Sequence, residues 1–259
     1  MSMRIVFIAD MHTGGLTALT LDPQNKTQEE VLKRYEATVA AFGPKPDALI
    51  VNGDSIEGTY PDITDADEIE ISRQQWHATD LIDRWKAKEI WIISGTARHT
   101  GKTQMWEQGI AQQLRRMGNK VNFRTKGKIE FCKWFRVEAR HKIGRSTIPH
   151  GRATAPLRAK MWNVIGAALT SRDEGKAAHW PDLCVYAHVH YWQYHEDAFG
   201  RVVTLPSWQA HGSRYPDEQC DGHVDLGAFQ IEVPEEKGGK VTWDVNRYPA
   251  GVVDRWDRR

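Results

Sequence analysis

Apolar runs and amphipathic stretches alternate along the first half of the chain. Residues 3 to 9, MRIVFIA, form an apolar run, with Arg4 its one polar residue, that ends at Asp10. Consecutive apolar positions from Ile5 to Ala9 predict a strand buried on both sides. After a Gly-Gly loop, TQEEVLKRYEATVAAF places Val31, Tyr35 and Val39 at helical spacing. Thr27 is the expected N-cap, with Glu30 three residues later, and Gly43, Pro44 and Pro46 stop the helix. DALIVNG at 47–53 predicts a second buried strand, closed by Gly53-Asp54. A long polar loop leads to a helix over about 65–87, a third strand in KEIWIIS at 88–94, and a helix over 103–116. This β-α-β-α-β-α order predicts a largely parallel sheet covered by helices.

The pattern then changes. KIEFCKWFRVEARH at 128–141 predicts one or two antiparallel strands, residues 154–171 a helix, and DLCVYAHVH at 182–190 a strand ending in histidines. From 191 onward the chain predicts two hairpins, the second turning around Lys237, Gly238 and Gly239. No stretch has the composition of a linker. The expectation is therefore a single domain over 1–259, with the C-terminal hairpins from about 191 packed on its core.

Composition narrows the class. The residues are 40% hydrophobic and 27% charged, as in a globular protein. No apolar run approaches the roughly 20 residues of a membrane span, and the first residues carry no secretion leader. A cytoplasmic chain with no membrane partner is expected. The three cysteines, Cys132, Cys184 and Cys220, are far apart. That suits a reducing compartment and argues against cysteine-ligated zinc. Nothing in the sequence sets an oligomeric state.

The net charge of +1 is uninformative, but its distribution is not. Five acids and no base lie between Asp62 and Glu70, whereas Ala111 to Lys160 holds fourteen Lys and Arg against two Glu. Such asymmetry suits either a polyanionic partner or a solvated face. Lys120, Arg124, Lys126, Lys128, Lys142, Arg145 and Arg152 could follow a polynucleotide backbone, and Trp134, Trp192 and Trp208 could stack on bases.

The residues that follow the buried strands change the picture most. Asp10 and His12 follow the first, Gly53-Asp54 the second, and Gly95-Thr96 with His99 the third. His141 ends the middle strands, and His188 and His190 end the later one. Ligands of open α/β sheets sit at the carboxyl ends of strands. Asp and His gathered there, without cysteine, suit divalent metals bound by oxygen and imidazole. A carboxylate such as Asp54 can bridge two cations.

The ordered set D-x-H, G-D, G-x-x-x-H, H and H-x-H, over roughly residues 3 to 210, resembles the calcineurin-like metallophosphoesterase superfamily. The resemblance implies an α/β fold: a four-layer αββα sandwich of two mixed sheets flanked by helices. It also implies two divalent metal ions, with manganese the leading choice and zinc, iron or nickel as alternatives. One metal would take Asp10, His12, Asp54 and His190. The other would take Asp54, His141, His188 and a residue of the third strand's loop. The implied activity is a dinuclear phosphoesterase that hydrolyses P–O bonds by a metal-bridged hydroxide. A phosphodiesterase or nuclease leads; a phosphomonoesterase or small cyclic-nucleotide phosphodiesterase, and a non-catalytic scaffold with a degenerate metal site, remain as alternatives. The chain departs from the family pattern twice. Ala187 replaces the glycine of G-H-x-H. The loop Gly95-Thr96-Ala97-Arg98-His99 has no Asn, and its histidine comes two residues late. Either Thr96 supplies an oxygen ligand and His99 is the general acid, or His99 fills the vacant ligand position. Arg98 would add positive charge toward a phosphate or lie on the surface.

Overall fold

The computed structural model describes residues 2–59, 70–101, 103–146, 148–175, 177–212 and 224–250. Its elements run β1 (Ser2–Ile8), α1 (Lys26–Phe42), β2 (Ala48–Asn52), α2 (Ile71–Asp83), β3 (Ile90–Ile93), α3 (Ala97–Thr100), α4 (Met105–Arg116), β4 (Val121–Arg124), β5 (Gly127–Phe131), β6 (Phe135–Lys142), α5 (Thr154–Glu174), β7 (Leu183–Ala187), β8 (Gln193–Asp197), β9 (Gly200–Thr204), β10 (Val224–Pro234) and β11 (Thr242–Ala250).

Two mixed sheets result. The first has the order β11-β10-β1-β2-β3-β4 and the second the order β5-β6-β7-β9-β8. β1 to β4 are parallel, and β10 pairs antiparallel with β1. The continuous apolar run of β1 now has its reason, because successive side chains enter different cores. Ile5, Phe7 and Ala9 point between the sheets, where they meet Phe135, Val137, Leu183, Val185 and Phe229. Val6 and Ile8 point the other way, onto Val31, Tyr35, Leu81, Trp85, Ile110 and Leu114 of the α1, α2 and α4 layer. On the far side of the second sheet, Cys184, Tyr186 and Val202 lie under Ala155, Leu157 and Ala159 of α5. The layers are therefore helix, sheet, sheet, helix, the arrangement that the resemblance implied.

Several expectations shift. Asn25, not Thr27, caps α1: its Oδ1 accepts the Gln28 N–H at 3.0 Å while its Nδ2 donates to Leu16 O at 2.9 Å. A side chain that satisfies both ends of the loop displaces the weaker threonine cap. α2 ends at Asp83, four residues early, and the start expected near 65 lies outside the described residues, as do residues 62–69 of the acidic run, Cys220 and His223. β4 was not anticipated. The C-terminal hairpins are shared between the sheets: β9 lies parallel to β7 in one, and β10 pairs with β1 in the other. The three tryptophans expected to stack on bases are engaged in packing. Trp208 is fully buried, Trp192 packs on Phe229 at 5.2 Å between ring centroids, and Trp134 donates its Nε1–H to Pro234 O at 3.1 Å. Among the described residues, no helix is long and apolar enough to cross a membrane.

Candidate metal centre

Parallel pairing fixes where the candidate residues meet. β1, β2 and β3 run side by side in one direction, as do β6 and β7. Their carboxyl ends deliver Asp10, Asp54, Gly95, His141 and His188 to one rim of the sandwich. The ladder continues past the strands, with Asp10 N–H donating to Gly53 O and His12 N–H to Asp54 O, both at 3.0 Å. Asp10, His12, Asp54, His188 and His190 then all take left-handed backbone, with φ of 49°, 46°, 49°, 73° and 56°. Such conformations are uncommon for residues with a side chain, though Asp and His tolerate them best, and they cluster at functional sites. Here they turn the chain sharply just where the side chains must converge. Ala187 stands apart from them. It is a strand residue without positive φ, so the alanine in place of glycine needs no special backbone.

The convergence forms two adjoining triads, Asp10–His12–His190 and Asp54–His141–His188; in each, one donor atom per residue lies within 4.8 Å of the others. In the first, Asp10 Oδ2 accepts the His188 N–H at 2.9 Å. That leaves Oδ1 facing His190 Nε2 at 3.4 Å and the Nε2 atoms of His12 and His141 at 3.7 Å. In the second, Asp54 Oδ2 lies 2.9 Å from His141 Nε2 and 4.0 Å from His188 Nδ1. The centroids of the His141 and His188 rings are 5.4 Å apart. His188 is the most open member, with 19% of its side chain exposed.

The outward-facing nitrogens of three imidazoles are already assigned. His12 Nδ1 donates to Glu57 Oε2 at 2.9 Å, His141 Nδ1 to Asn52 O at 2.7 Å, and His99 Nδ1 to Glu57 O at 2.6 Å. Each partner can only accept, so each Nδ1 must carry the proton, and Nε2 is the nitrogen aimed inward. His99 sits on α3 with its ring edge-on to His12, centroids 4.4 Å apart. With Glu57 and His12 it forms a third close group. Thr96 holds Asp54: its N–H reaches Oδ1 at 2.7 Å, and its hydroxyl lies 3.2 Å from both carboxylate oxygens. Arg98 is exposed on α3 beside His99.

The charges depend on one another. Burial alone would protonate Asp10 and Asp54, yet both stay well below the usual carboxylate range because buried imidazoles face them. The reciprocal effect outweighs burial at His12, raised to about 10 chiefly by Glu57, and at His141, raised to about 9 by Asp54 and Asp10. Burial and the neighbouring His141 push His188 down to about 4, and burial lowers His99. So concentrated a set of carboxylates requires compensating positive charge, from imidazolium protons or from divalent cations. The donors fit cations better than one another. Asp10 Oδ1 and His12 Nε2 are buried and make no hydrogen bond, although polar atoms out of water normally find one.

The sequence reading missed two acids here. Glu57 follows Asp54 by three residues in GDSIEG, and its place at the same strand end was a usable signal. Glu107 comes from the first turn of α4, where nothing in the sequence sets it apart.

No family model matches the sequence, and no curated protein does. Solved structures are similar in shape. A single mutant of Vps29 from Entamoeba histolytica is 12% identical, over 95% of this chain and 99% of that one, with a TM-score of 0.43. An archaeal phosphodiesterase is 10% identical over 94% and 100%, at 0.47. A predicted phosphoesterase from Streptococcus pneumoniae is 12% identical over 96% and 98%, at 0.40. Likenesses this loose carry no weight for the site; the fold stands on the layers and strand order described above.

Proposed function

We propose that the chain is a metal-dependent phosphoesterase of the calcineurin-like type that cleaves phosphodiesters. One observation carries the reading: two adjoining triads of carboxylate and imidazole donors at the carboxyl ends of parallel strands. Asp10, His12 and His190 would hold one cation and Asp54, His141 and His188 the other, and Asp54 would be the carboxylate shared between them. Bound there, two divalent cations supply positive charge against phosphoryl oxygens and generate a nucleophile from water near neutral pH. The protein's own groups do the rest. Glu57 and Asn52 fix the orientation of His12 and His141, and Thr96 fixes Asp54. His99, tethered through Nδ1, would donate the Nε2 proton of its imidazolium form to the leaving oxygen. Arg98 lies at the rim beside it.

A nucleic-acid substrate is supported by where the basic run falls. Arg124 ends β4 beside Ser94, Lys142 ends β6 beside Ala187, and Lys126 and Arg145 follow these strands, all at the rim that carries the triads. The four are exposed. Lys120 instead lies at the opposite end, 3.1 Å from Glu89.

The test is metal-free protein reloaded with manganese. Two cations per chain, with hydrolysis of bis-(p-nitrophenyl) phosphate and of single-stranded DNA, is the expected result. Protein that takes up no metal and shows no turnover would instead be a scaffold.

A further inference from the structure

The α4 acid that the sequence did not flag sits in an unusual setting. Glu107 is fully buried, and among the described residues no cationic side chain is hydrogen-bonded to it. Its oxygens accept from three donors on two loops. Oε2 takes the Gly95 N–H at 2.8 Å, while Oε1 takes the Ser55 N–H and the Ser55 hydroxyl, both at 3.3 Å. Burial and the charge of Asp54 push its carboxyl up to about 7. An acid in a helix's first turn is ordinary, because it favours the positive end of the helix dipole. This one turns its oxygens away from the helix's own amides and toward the ends of β2 and β3.

Those contacts bracket Asp54. Ser55 is its chain neighbour, and Gly95 precedes Thr96, whose N–H and hydroxyl hold the Asp54 carboxylate. Gly95 also leaves no room for a side chain against Asp54: a Cβ built there would lie 2.0 Å from Asp54 Oδ1. We infer that Glu107 is a positioning residue of the metal centre, which clamps the two loops together so that Thr96 presents Asp54 to the Asp54–His141–His188 triad. Outer contacts of this sort orient ligands and are worth roughly 10–100-fold in metal affinity.

The inference rests on the metal reading above, so the test separates the two. Wild-type, Glu107→Gln and Ser55→Ala proteins are titrated with cobalt(II), which reports both occupancy and ligand geometry by its visible spectrum. Amide exchange at Ser55 and Gly95 is followed in metal-free protein, and the melting temperature is recorded. Glu107→Gln keeps the shape but replaces an acceptor by a donor. It is expected to melt near wild type, to exchange the Gly95 amide faster, and to bind the second cobalt roughly 10–100-fold more weakly with an altered spectrum. Ser55→Ala, which removes one of the three donors, is expected to shift the same quantities in the same direction by less, and it carries the test if Glu107→Gln does not fold. Wild type binding two cobalt ions with both variants matching it would overturn the role of Glu107 and leave the metal reading intact. Wild type binding none would overturn both.

Discussion

At the scale of single residues, the site divides into groups that would touch the cations and groups that hold those in place, and substitutions should separate them. Asp54 belongs to the first kind, as the carboxylate of the Asp54–His141–His188 triad. Asp54→Ala should therefore abolish turnover and reduce metal content, and a variant with full metal and normal rates would exclude a bridging role. His99 should behave differently. Its Nδ1 is held by Glu57 O, so only Nε2 can transfer a proton. His99→Ala is expected to keep both metals and lose about 10²–10⁴ in rate on a poor leaving group, the usual range for general acid catalysis. The loss should shrink on p-nitrophenolate, which departs without a proton. Loss of metal with no dependence on the leaving group would make His99 a ligand instead. Most of this constellation was legible in the sequence, because Asp10, His12, Asp54, His188 and His190 each follow an apolar strand and His141 lies at the end of β6. The groups that hold them were less so. Thr96 stood out only as an oxygen ligand, whereas it holds Asp54 by hydrogen bonds, and no local pattern announces that Glu107 of α4 reaches Ser55 and Gly95.

At the scale of elements, what the sequence made legible tracks how much each element buries. β1, β2 and β3 were plain because both faces are covered, and their apolar runs have no other use. β4 was missed because it is an edge strand of four residues, VNFR, in which Val121 is buried and Arg124 is exposed. The second hairpin was visible, but its pairing with β1 joins segments more than two hundred residues apart, and alternation alone does not reveal a partner. One contact set shows how the outer helices are fixed on the first sheet. The Tyr35 hydroxyl on α1 donates to Leu81 O on α2 at 2.7 Å and accepts from Trp85 Nε1 at 2.9 Å. Tyr35→Phe keeps the ring and leaves a buried indole N–H and a carbonyl without this partner. It should cost about 1–3 kcal/mol, the usual penalty for stranding a buried polar group. Urea unfolding measures it, and a loss under 0.5 kcal/mol would mean that water or a shifted side chain replaces the hydroxyl.

At the scale of the whole molecule, charge acts in opposite ways at the two ends of the sandwich. At the end away from the site, Asp47 ties strand starts together: Oδ2 accepts the Arg4 N–H at 2.8 Å, and Oδ1 lies 2.6 Å from Lys88 Nζ. Partial burial opposes its ionisation, but these contacts prevail and hold it below the ordinary 3.8. A carboxyl lowered on folding stabilises above its unfolded value and loses that contribution as pH falls through the folded one. Asp47→Asn should therefore be less stable than wild type at neutral pH, and the gap should close below about pH 4. A gap independent of pH would mean that packing, not charge, accounts for it. At the site end Arg124, Lys126, Lys142 and Arg145 share one exposed rim. If single-stranded DNA follows that rim to the triads, each neutralised phosphate releases counterions, with a slope of about −0.7 per contact in log affinity against log salt. Four contacts predict a slope of about −3, measured by DNA binding in calcium, with no turnover, between about 50 and 200 mM salt. Lys142→Ala and Arg124→Ala should each flatten it by about 0.7 without altering metal content. Flattening by equal changes at Lys120, on the opposite end, would show a diffuse field and not a track. An unchanged affinity across that salt range would remove the polynucleotide from the proposal and leave a small phosphodiester as the substrate.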